Sequence, residues 1–196
     1  MDQSELIEDV KDLDPIDIYN KYLVTNQVWY FKEHLGKENP REHFEEFKFF
    51  ISKELGVGAN NITVVGSAKT CYSFAPYKNF KKFDDESDFD LVLVSSGYFN
   101  YFWKSFLELS HNNYIKDYEE LASSVFRKFI SFKNIELNHR HNQFKKWLKK
   151  VDSIKKDIQT IYGISEDINF RIYESWKYVE SYHIQGIIEL KNLLNE

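Results

Sequence analysis

Two carboxylates stand two residues apart in the sequence, directly after a polar loop. Asp88 and Asp90 open an apolar run that continues to Val94, and residues 89–94 are predicted to form a β-strand. Side chains two positions apart on a strand point to the same face, so the two carboxylates converge. Neighbouring carboxylates repel each other, and a divalent cation relieves that repulsion. The pair therefore predicts a site for Mg²⁺ or Mn²⁺, which would neutralise a nucleoside triphosphate.

A glycine and a serine form a second turn earlier in the chain. Gly66 and Ser67 follow residues 61–65, a β-branched run that predicts a short strand. Glycine lets the backbone approach a phosphate closely, and the serine hydroxyl and neighbouring amides can donate to phosphate oxygens. The loop that follows carries several lysines, of which Lys69 is the candidate phosphate ligand nearest to the turn. A solvated loop is the alternative interpretation for each of these lysines.

The two turns together match a known family pattern. The runs Val64-Val-Gly-Ser67 and Ser87-Asp-Phe-Asp-Leu-Val-Leu-Val94 resemble the nucleotidyltransferase superfamily related to DNA polymerase beta. The resemblance implies that Gly66 and Ser67 hold the triphosphate of an NTP substrate, and that Asp88 and Asp90 bind Mg²⁺ and carry catalysis. The implied reaction transfers a nucleoside monophosphate to an RNA, nucleotide or protein acceptor. Bacterial relatives of this size suggest, by analogy, a toxin–antitoxin or defence role.

The resemblance also implies a third carboxylate from a later strand, which would act as a base. Residues 168–173 predict that strand, with Asn169, Arg171 and Tyr173 on one face. None of these is a carboxylate. Asp167 and Glu174 flank the strand, and either could serve as the third carboxylate only if that end of the strand lies close to Asp88 and Asp90.

Arg171 has two interpretations, because it suits either a phosphate ligand or a structural salt bridge. The missing carboxylate also leaves an alternative function open. In that alternative the chain is a catalytically degenerate nucleotidyltransferase-like module that binds a nucleotide or a protein partner.

The remaining pattern is mostly helical. Apolar residues at helical spacing predict helices over 15–35, 40–55, 99–133, 143–162 and 175–194. The predicted fold class is α/β (α+β), with a small mixed β-sheet of the nucleotidyltransferase type flanked by several long helices. Without a repeat or a linker, residues 1–196 are predicted to be a single domain with a helical N-terminal part (1–58) and a helical insert (97–162).

Composition narrows the class of protein. Hydrophobic residues make up 42% of the chain, which supplies a core, and Cys71 is the only cysteine, so no intrachain disulfide forms. No apolar run is long enough to span a membrane, and no basic, apolar leader opens the sequence. A cytoplasmic protein without membrane contact is expected.

Charge is unevenly distributed along the chain. The net charge is −5, yet residues 126–156 hold ten Lys or Arg and only two acidic residues. This basic segment permits an anionic partner on one face, and a solvated helix face is the alternative. It includes His139-Arg140-His141, for which an exposed basic turn is favoured over a metal site or a role near the acceptor. A basic RNA-binding domain is a third possibility, which the overall acidity disfavours.

Overall fold

The computed structural model describes residues 2–112, 115, 118–132 and 142–195. Eight α-helices lie in these ranges: α1 (Gln3–Asp12), α2 (Pro15–Tyr19), α3 (Pro40–Leu55), α4 (Ser67–Thr70), α5 (Ser96–Asn112), α6 (Tyr118–Phe126), α7 (Asn142–Tyr162) and α8 (Trp176–Asn195). Four strands accompany them: β1 (Ile62–Val65), β2 (Phe89–Val94), β3 (Phe129–Ser131) and β4 (Ile168–Tyr173). The α+β class is confirmed.

The four strands form one mixed sheet in the order β1-β2-β4-β3. β2 runs antiparallel to β1 and parallel to β4, and β3 closes the other edge antiparallel to β4. The parallel pair requires a long crossover, which α5, α6, β3 and α7 provide. β2 and β4 are therefore the two central strands.

The two faces of the sheet differ in chemistry. One face carries only apolar side chains of the strands, which pack on α3, α5 and α7 in the largest core cluster. The opposite face has a small apolar cluster that includes Val92, Tyr173 and Val179 of α8. Asp90, Asn169 and Arg171 share this second face, because they alternate with the buried apolar residues of β2 and β4. The polar residues of the central strands therefore face α8.

The helix predicted over 99–133 is wrong in its second half. α5 ends at Asn112, α6 spans Tyr118–Phe126, and Phe129–Ser131 form the edge strand β3. Lys128 has a left-handed φ of 63°, which turns the chain out of α6. The predicted helical insert (97–162) thus contains a strand, because pairing with β4 overrides the helical spacing of Phe129.

The helix predicted over 15–35 is also interrupted. α2 continues as a π-helical segment (Asn20–Val24), and a second π-helical segment (Tyr30–His34) follows an irregular stretch. α1 precedes both within the predicted helical N-terminal part (1–58), although no separate helix is predicted there; it packs with α2 and α8 in a separate core cluster. The predicted helices at 40–55, 143–162 and 175–194 are confirmed within one residue.

The basic segment lies partly on α7. Lys145, Lys146, Lys149, Lys150 and Lys156 are exposed, and the apolar side of α7 packs on the face of the sheet opposite to Asp90. The exposure of these lysines is expected both for a solvated helix face and for a surface that binds an anionic partner. His139, Arg140 and His141 lie outside the described residues. No helix in the described ranges combines the length and apolar character that crossing a bilayer needs.

Candidate functional site

The sheet register brings the predicted site residues together. Asp90 pairs across the parallel ladder with Asn169 and across the antiparallel ladder with Val65, the residue before Gly66. Directly paired residues point to the same face of a sheet. The glycine turn, the Asp90 carboxylate and the polar face of β4 therefore meet at one end of the central strands.

Arg171 forms an ion pair with Asp90. Its Nη2 lies 3.4 Å from both Oδ1 and Oδ2 of the carboxylate. Both side chains are mostly shielded, with 26% and 19% exposure. Burial is the largest influence and disfavours the Arg171 cation, but the Asp90 carboxylate together with Tyr173 and Tyr182 outweighs it, so the pKa of the guanidinium is raised. The salt-bridge interpretation of Arg171 is thus present in the structure, and the cation approaches the carboxylate predicted to hold metal.

Gly66 brings the backbone close to the Asp90 carboxylate. Its φ is +70°, a conformation that side chains other than glycine rarely adopt. A Cβ atom at this position would lie 3.1 Å from Oδ2 of Asp90. Both the backbone conformation and the neighbouring carboxylate therefore require glycine where β1 turns into α4.

A cleft of about 750 Å³ opens above these residues. Gly66, Ser67, Asp88, Asp90 and Arg171 all line it. Its other walls are α8, the segment 73–78 and the end of α6. Five of the six predicted site residues thus share one cavity of the size that small-molecule sites usually have.

Lys69 is the predicted residue that lies elsewhere. Its side chain is buried at 2% exposure, donates to the carbonyl oxygen of Thr25 and lies 5.9 Å from the Phe44 ring. Burial, assisted by the nearby charge of Lys48, lowers the pKa of Lys69 to about 8. Because α4 turns this ammonium into the core, Lys69 does not line the cleft, and Lys78 is the lysine of the loop that does.

Neither candidate for a third carboxylate reaches the pair. Glu174 follows the far end of β4, where it forms an ion pair with Lys128, so it lies several residues along the strand from Asn169. Asp167 is exposed and does not line the cleft, although its carbonyl accepts from the amide of Phe89. Within the described residues, no group of three or more His, Cys, Asp and Glu could hold a metal ion. The third position next to Asp90 is held by Asn169.

Two buried polar atoms near Arg171, Asn169 Nδ2 and His183 Nε2, lack a hydrogen-bond partner among the described residues, and the Tyr173 hydroxyl interacts with the Arg171 guanidinium. Asn169 and Tyr173 flank Arg171 on the same face of β4, and His183 lines the cleft from α8. The Asn169 amide and the His183 ring can each donate a hydrogen bond, and buried donors without a partner are rare in proteins. They point to an acceptor, such as water or an anion, beside Arg171.

The protonation of these groups is shifted by burial. Burial raises the pKa of Tyr173, although the Arg171 cation opposes it. Burial and, to a smaller extent, the charge of Arg171 lower the pKa of His183 to about 3. His183 is therefore neutral at physiological pH, and the positive charge at this end of the sheet is that of Arg171.

Sequence reasoning missed the contribution of α8 to this site. Tyr182 and His183 fall within a helix whose apolar spacing predicts only a core element. Their adjacent aromatic and imidazole groups, next to Ser181 and Gln185, are the signal that marks a polar side of that helix. The residues at the cleft mouth, Tyr77 and Phe126, carry no such signal in the sequence.

No family model matches this chain. No curated protein and no solved structure matches it either. The geometry of the cleft is therefore the basis for a functional proposal.

Proposed function

We propose that the chain is a nucleotidyltransferase-like module that binds the phosphate groups of a nucleotide in this cleft and does not transfer the nucleotidyl group. The observation that carries the proposal is the ion pair between Arg171 and Asp90 beside the Gly66 turn. A guanidinium is a strong ligand for phosphate and retains its charge at any physiological pH. The pair thus supplies a fixed cation where a transferase would use a metal ion.

The neighbouring groups support phosphate binding. Arg171 uses one nitrogen for Asp90 and also interacts with the hydroxyls of Tyr173 and Tyr182. A guanidinium has five N–H donors, so Arg171, which lines the cleft, can still donate to a ligand there. His183 lines the cleft with Arg171, whereas Asn169 and Tyr173 are buried beside Arg171 on β4 and do not line the cleft. A phosphate accepts several hydrogen bonds at once, and Arg171, Lys78 and Arg127 are the cations that line the cleft and can donate to it.

The absence of transfer follows from the third position. Asn169 is the ladder partner of Asp90, and an amide cannot accept the proton of an attacking hydroxyl as a carboxylate does. Without that base the module would act through the complex that it forms with the nucleotide, or through a protein partner, as in toxin–antitoxin or defence systems.

A second function has its own support. Asp88 and Asp90 line the same cleft as Gly66 and Ser67. Mg²⁺ is often bound by one or two carboxylates together with substrate phosphates, so an NTP would complete the ligand set. In this case the chain would be a Mg²⁺-dependent nucleotidyltransferase that acts on an RNA, nucleotide or protein acceptor.

One pair of measurements separates the two functions. Thermal denaturation is followed with each NTP in EDTA and in Mg²⁺, and transfer of α-labelled NTP is followed with and without total RNA. The proposal predicts NTP stabilisation that persists in EDTA, disappears in Arg171→Met, and occurs without label transfer. Label transfer in Mg²⁺ that Asp88→Asn and Asp90→Asn both abolish would instead establish the transferase. No stabilisation by any NTP, with or without metal, contradicts both functions.

A further inference from the structure

Two aromatic side chains that line the cleft are almost fully exposed to solvent. Tyr77 has 85% of its surface exposed and Phe126 has 88%, and both line the cleft. Burial of a large apolar side chain typically contributes about 1.5–3 kcal/mol to folding, and neither ring contributes that here. Exposed apolar groups that line a cavity are typical of a surface that binds a ligand.

A basic residue follows each ring in the sequence and also lines the cleft. Lys78 follows Tyr77 in the 3₁₀ turn Pro76–Lys78, and Arg127 follows Phe126 at the end of α6. Both basic side chains are exposed. Two segments that are distant in sequence thus bring the same combination, an exposed ring next to a cation, to one cavity.

This combination matches the chemistry of single-stranded nucleic acid. Bases that are not paired offer two flat faces to an aromatic ring, and the phosphate between consecutive bases accepts from a basic side chain. A duplex hides its base faces within the stack, so exposed rings cannot use them. Protein interfaces are enriched in arginine and aromatic residues but depleted of lysine, so Lys78 is the residue of this set that favours a nucleic acid over a protein partner.

We propose that the cleft binds a single-stranded polynucleotide, with Tyr77 and Phe126 stacked on bases and with Lys78 and Arg127 at the adjacent phosphates. The inference rests on the proposed function of the same cleft, since Arg171 would hold a phosphate of the bound strand or its end. The inference thus gives four residues other than Arg171 and Asp90 a role in binding the polynucleotide.

The test is fluorescence anisotropy of a short labelled single-stranded RNA of mixed sequence, titrated with the full chain at low salt. Tyr77→Ala and Phe126→Ala should each weaken binding by about tenfold, as the loss of a stacked base typically does. Tyr77→Phe should retain the affinity, because it keeps the ring. Phe49→Ala is the matched control, since Phe49 is 63% exposed on α3 and does not line the cleft.

The charged residues add a second readout. Lys78→Ala and Arg127→Ala should each reduce the dependence of log affinity on log salt by about 0.7, the value for one phosphate contact on a single strand. Duplex RNA that binds as tightly as the single strand would overturn the inference. So would Tyr77→Ala and Phe126→Ala proteins that bind as wild type does, and such proteins would leave the rings as a protein-contact surface. A chain that is stabilised by NTP but does not bind the oligonucleotide overturns this inference alone.

Discussion

Arg171 places one guanidinium nitrogen 3.4 Å from both carboxylate oxygens of Asp90, across the two central strands of the sheet. The pair is mostly shielded from solvent, so removing either side chain leaves the other charge without water or a counter-ion to stabilise it. Under the proposed function this contact matters because the Arg171 cation competes with a metal ion for the Asp90 carboxylate.

The first prediction concerns the energy of this pair. Arg171→Met leaves a shielded carboxylate without its cation and should lower the free energy of unfolding by about 2 kcal/mol. Asp90→Asn should cost a similar amount for the complementary reason. The double variant should cost clearly less than the two single changes added together, as urea denaturation of all four proteins would show. Strict additivity would mean that the pair contributes nothing to stability.

The second prediction concerns the glycine turn. Gly66→Ala combines a left-handed φ of +70° with a Cβ 3.1 Å from Asp90 Oδ2. It should destabilise the fold by about 1–3 kcal/mol and weaken nucleotide-dependent stabilisation. Gly56→Ala is the comparison for a positive φ alone, because Gly56 has φ +66° and ψ 30° and a Cβ there meets nothing within 4 Å. Equal losses in the two variants would show that neither the ψ of −158° nor the contact with Asp90 adds to the cost at Gly66.

The third prediction adds the missing carboxylate. Asn169→Asp places a carboxylate directly across the parallel ladder from Asp90, where repulsion favours a bound cation. Mn²⁺ should bind this variant at least tenfold more tightly than wild type by titration calorimetry, because each added carboxylate ligand strengthens the site. Asn100→Asp, an exposed change on α5, is the control. Unchanged Mn²⁺ affinity in Asn169→Asp would show that the ion pair of Arg171 still blocks the metal position.

The fourth prediction is a pH dependence that comes from Lys69. Its pKa of about 8 in the folded protein lies below the ordinary lysine value, so the unfolded chain binds more protons between pH 8 and 10. The free energy of unfolding should therefore rise with pH in this window by at most about 1.4 kcal/mol per pH unit. Above pH 10, tyrosine ionisation obscures the effect.

The Lys69→Met variant isolates that dependence. In urea denaturation, the stability of wild type relative to Lys69→Met should rise as the pH rises from 8 to 10. Only wild type has the buried ammonium, which is costly to keep charged and which loses its proton in this range. Lys11→Met, at an exposed position on α1, should show a constant difference from wild type. A constant difference for Lys69→Met as well would mean that the buried amine keeps its ordinary pKa.

The strands that carry the site could be predicted from the sequence. β1, β2 and β4 have β-branched or alternating apolar residues bounded by turns, and the structure confirms all three. The proximity of Gly66 to Asp90 could be expected only through the family resemblance. It depends on the β1–β2 register, which a single sequence does not reveal.

The misplaced elements fail for two different physical reasons. β3 has only three residues, and Phe129 fits the helical spacing of the residues before it, so pairing with β4 decides its conformation. Lys69 stands two residues after Ser67, but the direction of its side chain depends on how α4 packs against the core near Thr25. The spacing of apolar residues along the chain predicts neither the pairing of β3 with β4 nor the packing of α4 against the core.

The crossover between β2 and β4 has a consequence for how the site comes into being. Asp90 and Arg171 sit on neighbouring strands, yet α5, α6, β3 and α7 lie between them along the chain. Contacts of such high sequence separation form only after a large loop has closed, which makes them slow and entropically costly. Nascent or partly unfolded chains would therefore lack the cleft entirely. A ligand that binds only this cleft would report on completion of the whole sheet and would stabilise fully assembled molecules relative to intermediates.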